Sequence, residues 1–208
     1  MIPKHVDSIL HTEGVICCVG TGRSGKTALA HYLATSTPKR KYCLGYPEAA
    51  MEYLPEDWQT IDTSDVFSLT NCVIVVDDAA LFMASRDFKS DWSKLWVQFQ
   101  TIISHKNITI IFSIQSMNLL DIGILRSQRM SVLYKHSDIV NIKYERHEFR
   151  RVAISARQHI HHARKIYPDV HPKSWVYDAD TFSVFSHPLA DHWCDDLSTP
   201  YSDYMVGE

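Results

Sequence analysis

Residues 20–27 have the types and spacing of a phosphate-binding loop. They read GTGRSGKT, which fits the pattern G-x-x-x-x-G-K-[ST]. Glycines allow successive backbone N–H groups to turn toward a polyphosphate, and the N-terminus of a following helix adds partial positive charge. Lys26 would place its ammonium on the β- and γ-phosphates of ATP, and the Thr27 hydroxyl would bind Mg²⁺. The predicted nucleotide-binding residues are Gly20, Thr21, Gly22, Arg23, Ser24, Gly25, Lys26 and Thr27.

Two aspartates follow the most strand-like segment of the chain. The apolar run CVIVV at 72–76 is followed directly by Asp77 and Asp78. A carboxylate at the end of such a strand holds Mg²⁺ in P-loop NTPases, usually through a water molecule. We assign this role to Asp77, and to Asp78 the role of orienting and deprotonating the attacking water. The alternative is that both aspartates cap the next segment.

A third polar residue, Gln115, follows the apolar run at 108–114. Ligands of open α/β sheets bind outside the carboxyl ends of the strands, so a glutamine there is placed to contact the γ-phosphate. Without family information, a simple cap on the strand end explains Gln115 equally well.

Short apolar runs alternate with helical patterns, which is typical of a mainly parallel α/β sheet. The predicted strands are 15–19, 41–44, 72–76, 108–114 and 130–134, and the predicted helices are 26–35, a segment with apolar residues from Phe88 to Ile103, and 117–125. Residues 46–70 are expected to be irregular. We predict an ATPase core at 1–145, followed at 146–208 by a helix (146–167), a hairpin (175–177 with 181–185) and a polar tail that docks on the same domain.

The composition limits the class of protein. The chain has 208 residues, is 45% hydrophobic and carries a net charge of −3, which excludes a disordered chain and a uniformly basic nucleic-acid binder. Five cysteines without metal-ligand spacing suggest a reducing compartment. The sequence also predicts no transmembrane segment, because its long charge-free stretch at 107–120 is too short to span a bilayer.

Three blocks together resemble the FtsK–HerA superfamily of DNA-pumping ATPases. The blocks are GTGRSGKT at 20–27, VIVVDD at 73–78 and ITIIFSIQSMNLLDIGILRSQRMSVLYK at 108–135. More narrowly, they are similar to the genome-packaging ATPases of tailless icosahedral viruses with an internal membrane. The resemblance implies a RecA-like (additional-strand) P-loop NTPase fold, in which a strand separates the phosphate loop from the acidic strand. It also implies hydrolysis of ATP with Mg²⁺.

The same resemblance implies partners and a place of action. The partners would be double-stranded DNA, further copies of the chain in a homo-oligomeric ring, and viral capsid or membrane vertex proteins. The place would be the host cell cytoplasm or the packaging vertex of the virion.

The resemblance further implies an arginine that completes the neighbouring subunit's site in the ring. By position in the third block, Arg129 is the first candidate and Arg126 the second, with Arg86 a third. The alternative for each is a solvated surface arginine. Two departures weaken the match: Asp78 stands where glutamate is common, and Ser104-His105 stands where an Arg-His pair is frequent.

The predicted helix at 146–167 carries a stripe of basic residues that could follow a phosphate backbone or face a neighbouring subunit. A solvated helix face is the interpretation that we favour. The stripe comprises Arg146, Arg150, Arg157, His161 and Arg164. His159, His161 and His162 lack the ligand spacing of a zinc site with Cys194 or His171.

Four functions fit these observations to different degrees. The motif set favours an ATP-hydrolysing motor that moves double-stranded DNA into a preformed capsid. A small-molecule kinase would need a basic lid and an acceptor pocket, neither of which the sequence reveals. A relative of the filamentous-phage assembly ATPases would carry a membrane segment. A non-catalytic adaptor gated by nucleotide would not need the acidic pair.

Overall fold

The structure is a computed structural model, and it describes residues 2–46, 48–62, 64–77, 103–120 and 129–198. Most of the predicted helix with apolar residues from Phe88 to Ile103 lies outside these ranges. The predicted site residues Asp78 and Arg126 and the candidate Arg86 lie outside them as well.

Within the described residues, eight strands form one sheet in the order β3-β2-β4-β5-β1-β6-β7-β8. The pairs from β3 to β6 are parallel, whereas β6–β7 and β7–β8 are antiparallel. The strands are β1 (Gly14–Val19), β2 (Arg40–Leu44), β3 (Trp58–Ile61), β4 (Cys72–Val76), β5 (Ile108–Ile114), β6 (Met130–Tyr134), β7 (Trp175–Asp178) and β8 (Ser183–Ser186).

Helices cover both faces of this sheet. Every residue of β1, β4 and β5 is buried, as expected for parallel strands that are covered on both sides. Two apolar clusters fill the space between the sheet and the helices, one on each face. The helices among the described residues include α1 (Lys4–His11), α2 (Lys26–Thr35), α3 (Ile139–Lys143) and α4 (His147–Ile166).

The predicted fold class is confirmed: the sheet is mainly parallel and flanked by helices, and it ends in a helix and a hairpin. Among the strands and α-helices of the described residues, three were not predicted. Residues 58–61 form the edge strand β3 inside the segment that we expected to be irregular, and α1 and α3 have no counterpart in the sequence analysis. Within the third block, residues 117–119 form a single 3₁₀ turn where the sequence predicted the start of a helix.

Strand β5 lies between the strand of the phosphate loop and the strand of the acidic pair, as the resemblance implies. Val19 at the end of β1 is level with Ile114, and Val76 at the end of β4 is level with Phe112. The carboxyl ends of β1, β5 and β4 therefore meet at one edge of the sheet, and the residues that follow them form the candidate site.

The C-terminal part extends the sheet and then returns over α2. Strands β7 and β8 form the predicted hairpin, and β7 pairs with β6. The following segment, 187–198, docks on the body of the protein, where Ala190 and Leu197 are buried. Within the described part of the chain, no helix combines the length and the apolar character needed to cross a membrane.

Candidate nucleotide-binding site

The loop at 20–27 is anchored to both strands that flank β1. The Gly20 N–H donates to the Ile114 carbonyl at the end of β5 at 3.1 Å. The Thr21 N–H and hydroxyl both donate to the His136 carbonyl beyond β6, each at 3.1 Å. Two positive φ angles then turn the chain into α2, 59° at Arg23 and 91° at Gly25. These anchors hold the backbone that must turn its N–H groups toward phosphate.

Gly20 is packed on all sides, whereas Gly22 is open. A Cβ on Gly20 would lie 2.8 Å from Ser24 Oγ, 2.9 Å from Lys135 Cβ and 3.1 Å from the His136 carbonyl oxygen. A Cβ on Gly22 would have no neighbouring atom within 4 Å. The two glycines therefore allow the same substitution to be compared at a filled and at an open position of one loop.

We expect Gly20→Ala to lower the free energy of unfolding by about 1–3 kcal/mol, the usual cost of forcing a methyl group into a filled space. Gly22→Ala should leave it within about 0.5 kcal/mol of the wild type. Denaturant unfolding of the three proteins measures both values. Equal stabilities of the two variants would contradict the packing of the loop.

Lys26 is the first residue of α2, and its side chain returns over the loop. Its ammonium donates to the Thr21 carbonyl at 3.0 Å, and the residue is only 6% exposed. Close by, the buried Ser24 hydroxyl has no hydrogen-bond partner among the described residues. A buried hydroxyl of this kind calls for an acceptor, and a phosphate oxygen would supply one.

Thr27 and Asp77 meet across 50 residues of sequence. The Thr27 hydroxyl lies 3.0 Å from each carboxylate oxygen of Asp77, which is 2% exposed. A hydroxyl and a carboxylate at the mouth of a phosphate loop are the oxygen ligands that Mg²⁺ prefers. The donor set therefore fits Mg²⁺ beside a triphosphate, with Thr27 and Asp77 as its protein ligands.

Of the other predicted residues, Gln115 and Arg129 are among the described ones. Gln115 follows β5 at the same edge of the sheet as the loop, and its side chain is exposed. Asp78, Arg126 and Arg86 lie outside the described residues.

Arg129 lies at the opposite edge of the sheet, before the start of β6. Its carbonyl accepts from the Val15 N–H, and its guanidinium contacts Glu13 at 2.6 Å and the Thr12 hydroxyl at 2.9 Å. Strand β6 separates it from the phosphate loop by about 20 Å, at roughly 3.3 Å per residue. Arg129 therefore lies away from the phosphate loop of its own chain, and its guanidinium is held by Glu13 and Thr12.

A residue that the sequence analysis missed, Lys135, supports the loop from behind. It follows β6, is fully buried, and its ammonium donates to the Lys173 carbonyl and, at 3.0 Å, to His187 Nε2. Its Cε would lie 3.5 Å from a Cβ on Gly25. Burial lowers the pKa of Lys135 to about 7, and burial followed by the nearby Lys135 charge lowers the pKa of His187 to about 3. The sequence feature that could have identified Lys135 is a charged residue directly after an apolar strand.

We expect Lys135 to make stability increase with pH. Because the pKa is about 7 in the folded chain and 10.5 as the ordinary value, the unfolded chain binds more protons between these values. The free energy of unfolding should therefore rise above pH 7, by up to about 1.4 kcal/mol per pH unit, and Lys135→Met should remove this rise. Urea unfolding of wild type and Lys135→Met between pH 7 and 8.5 gives the difference between their free energies of unfolding. The titration of the cysteines and of Lys39 is common to both proteins and cancels in this difference. Parallel curves would contradict the assignment.

The segment after the hairpin covers the outer side of α2. His31 of α2 is fully buried, stacks on Trp58 and contacts the Tyr46 hydroxyl at 3.0 Å and His192 Nε2 at 2.9 Å. Burial, and then the proximity of His192, lowers the pKa of His31 to about 3. Burial also lowers the pKa of His192, so both imidazoles favour the neutral form, and their contact joins the tail to the helix of the phosphate loop.

Comparison with known proteins supplies the fold relationship. No protein-family model matches the sequence, and a search of curated proteins finds no match. Among solved structures, the DNA-packaging ATPase B204 of Sulfolobus turreted icosahedral virus has a TM-score of 0.53 at 10% sequence identity, over 86% of this chain and 99% of that chain. The chain has the fold of this P-loop packaging ATPase.

Two further solved structures are similar to this chain with lower TM-scores. B204 of Sulfolobus turreted icosahedral virus 2, in complex with ATP-γ-S, has a TM-score of 0.46 at 10% identity, over 85% of this chain and 98% of that one. The N-terminal domain of zonular occludens toxin from Neisseria meningitidis has a TM-score of 0.35 at 16% identity, over 59% of this chain and 77% of that one. The likeness to B204 confirms the predicted resemblance at the level of the fold.

A cavity of about 470 Å³ is lined by His136, which follows β6, and by residues of α3 and α4. Its wall shares a residue with the loop anchor, because His136 lines the cavity and its carbonyl accepts from Thr21. Isoleucine side chains from α3 and α4 give the cavity an apolar surface, and polar groups stand at its edge. The lining residues are His136, Ile139, Ile142, Ile154, Arg157, Gln158 and His161.

The basic stripe of α4 is largely occupied by backbone contacts. Arg146 donates to the Leu120 carbonyl at 2.8 Å, Arg150 donates to the Lys143 carbonyl at 3.1 Å, and Arg164 donates to the Pro172 carbonyl at 2.7 Å. Three of its five members thus hold neighbouring loops, and the other two line the cavity. These contacts favour a structural role for most of the stripe.

Proposed function

We propose that this protein is an ATP-hydrolysing motor that moves double-stranded viral DNA into a preformed capsid. The proposal of ATP hydrolysis rests on the contact of the Thr27 hydroxyl with both carboxylate oxygens of Asp77, next to the buried Lys26. These three residues come from the two strand ends that a P-loop NTPase uses for the metal and the phosphates.

Each residue then has a task with Mg·ATP. The loop N–H groups and the Ser24 hydroxyl donate to phosphate oxygens, and Lys26 turns from the Thr21 carbonyl to the β- and γ-phosphates. Thr27 and Asp77 would hold Mg²⁺, which would neutralise charge on the phosphates when bound. Asp78 accepts a proton from the attacking water, and Gln115 contacts the γ-phosphate.

The cavity lined by Ile139, Ile142 and Ile154 suits the nucleobase. Its volume lies in the range of small-molecule sites, its apolar side chains can pack on the faces of a purine, and Gln158 offers an amide to the ring edge. The His136 carbonyl accepts from the Thr21 N–H, so a residue of the cavity wall also anchors the loop.

The proposed movement of DNA is supported by the likeness in fold to B204, which extends over nearly the whole of that ATPase. In a homo-oligomeric ring, Arg126 or Arg129 of one subunit would complete the next subunit's site. Capsid or membrane vertex proteins would receive the ring at the packaging vertex, in the host cytoplasm.

One experiment separates the motor from its alternatives. ATP hydrolysis by wild type and Lys26→Ala is measured with and without double-stranded DNA, at concentrations where sedimentation shows the assembled form. Turnover that DNA stimulates and that Lys26→Ala abolishes would support the motor. Phosphate transfer to an added nucleoside would support a kinase, turnover indifferent to DNA would favour a filamentous-phage-type assembly ATPase, and binding without turnover would support an adaptor. Each of the last three results would contradict the proposal.

A further inference from the structure

A second cluster of ligand-type atoms lies at the far edge of the sheet, away from the nucleotide site. It joins His5 at the start of α1 to Asp178 at the end of β7 and Asp180 in the hairpin turn. Ser131 at the start of β6 is also in contact, whereas the phosphate loop lies beyond the other end of that strand. The cluster is therefore separate from the site that binds nucleotide.

The arrangement around His5 Nε2 is not explained by hydrogen bonds alone. Nε2 lies 3.3 Å from Asp178 Oδ1, 3.2 Å from Asp180 Oδ2 and 3.3 Å from Ser131 Oγ. One imidazole N–H can serve only one of these three oxygens well. Ligands that surround a tetrahedral zinc ion at about 2.0–2.1 Å are separated by about 3.3–3.4 Å, close to the two contacts between Nε2 and the carboxylates.

Both carboxylates are already oriented by neighbouring groups. Asp178 Oδ1 accepts from the Asp180 N–H at 3.0 Å, and Asp178 Oδ2 accepts from the Thr181 hydroxyl. The Ser131 hydroxyl donates to Asp180 Oδ2 at 2.7 Å. Supporting hydrogen bonds of this kind fix the direction of metal ligands before the metal arrives.

The charges in the cluster also favour a cation. Asp178 is fully buried, and the Asp180 side chain is 44% exposed. Among the described residues, His5 is the one basic side chain within ion-pair distance of Asp178 or Asp180. Asp178 is buried, and a buried carboxylate is costly unless a cation or hydrogen bonds compensate its charge.

We propose that His5 Nε2, Asp178 Oδ1 and Asp180 Oδ2 bind a divalent transition-metal ion of the zinc class, with water as the fourth ligand. The imidazole favours Zn²⁺ over Mg²⁺, which prefers oxygen ligands and six-fold coordination. The ion would fasten the N-terminal helix to the C-terminal hairpin. This role is structural, and it does not depend on the function proposed for the nucleotide site.

The test is calorimetric titration of ZnCl₂ into the untagged, chelator-treated protein, together with thermal unfolding. The variants are His5→Gln and Asp180→Asn. His11→Gln is the matched control, because His11 also lies on α1, is exposed and is paired with Asp7 at 3.5 Å. Circular dichroism identifies any variant that fails to fold, and the exposed Asp180 provides the milder change.

We expect wild type and His11→Gln to bind one Zn²⁺ equivalent that His5→Gln and Asp180→Asn lose or bind more weakly. The loss should exceed the roughly 10–100-fold in affinity that changes to supporting residues cost. Zn²⁺ should also raise the unfolding midpoint of wild type and His11→Gln but not of the other two. Absence of Zn²⁺ binding by wild type, or equal binding by all four proteins, would overturn the proposal.

Discussion

Lys26→Ala should lower the rate of ATP hydrolysis by at least about 10²–10³-fold, which is the usual cost of removing a preorganised group that stabilises charge in the transition state. The Lys26 ammonium is buried against the phosphate loop, where it donates to the Thr21 carbonyl. Release of phosphate from purified protein measures the effect, and calorimetry with ATP measures binding separately.

Lys165→Ala is the matched control for this substitution, since Lys165 is an exposed lysine near the end of α4. It should hydrolyse ATP at the wild-type rate. If Lys26→Ala and Lys165→Ala were equally active, Lys26 would have no part in phosphate chemistry and the proposed function would fail.

Asp77→Asn should cause a loss of similar size, about 10²–10³-fold, together with a higher Mg²⁺ requirement. The amide keeps the volume of the side chain and a contact with the Thr27 hydroxyl, but it removes the negative charge that holds the cation. Hydrolysis measured over a range of Mg²⁺ concentrations at fixed ATP gives both effects. Part of the lost rate should return at high Mg²⁺ if the defect is one of metal binding.

Three further variants check this interpretation. Thr27→Ser keeps the hydroxyl and should retain most activity, whereas Thr27→Ala should behave like Asp77→Asn. Asp169→Asn, at an exposed position after α4, should leave the Mg²⁺ dependence unchanged. A normal Mg²⁺ dependence in Asp77→Asn would show that the ion is held elsewhere.

The central strands and the loop could be predicted because their signals are local. Strands β1, β4 and β5 are covered on both faces, so they read as continuous apolar runs. The phosphate loop is a contiguous motif between such a strand and a helix. Asp77 could be placed beside Thr27 because parallel strands bring their carboxyl ends to one edge.

The peripheral elements could not be predicted because tertiary contacts stabilise them. Helix α1 has eight residues, too few to be stable alone, and it is held by burial of Val6, Ile9 and Leu10. Strand β3 is a four-residue edge strand in a polar segment, and it forms because β2 offers it an unpaired edge. Strand β3 has no local pattern that exceeds that of the surrounding chain, whereas α1 carries Val6, Ile9 and Leu10 at helical spacing in a segment too short to indicate a stable helix by itself.

The supporting residues of the site were missed for a related reason. Lys135 acquires its role from His187, which follows 52 residues later, and from the Lys173 carbonyl. His5 meets Asp178 only because α1 and the hairpin reach the same edge of the sheet. Pairings over such distances depend on topology, which a single sequence does not display.

The tail over α2 affects how shortened forms of this protein should be interpreted. Ending the chain before His187 would take away an acceptor of the Lys135 ammonium and would expose His31 and Trp58 to water. The trimmed protein would then have a weakened phosphate loop even though every motif residue remained. Low turnover in such a fragment would be an artefact of truncation and would not test the function proposed for the 208-residue chain.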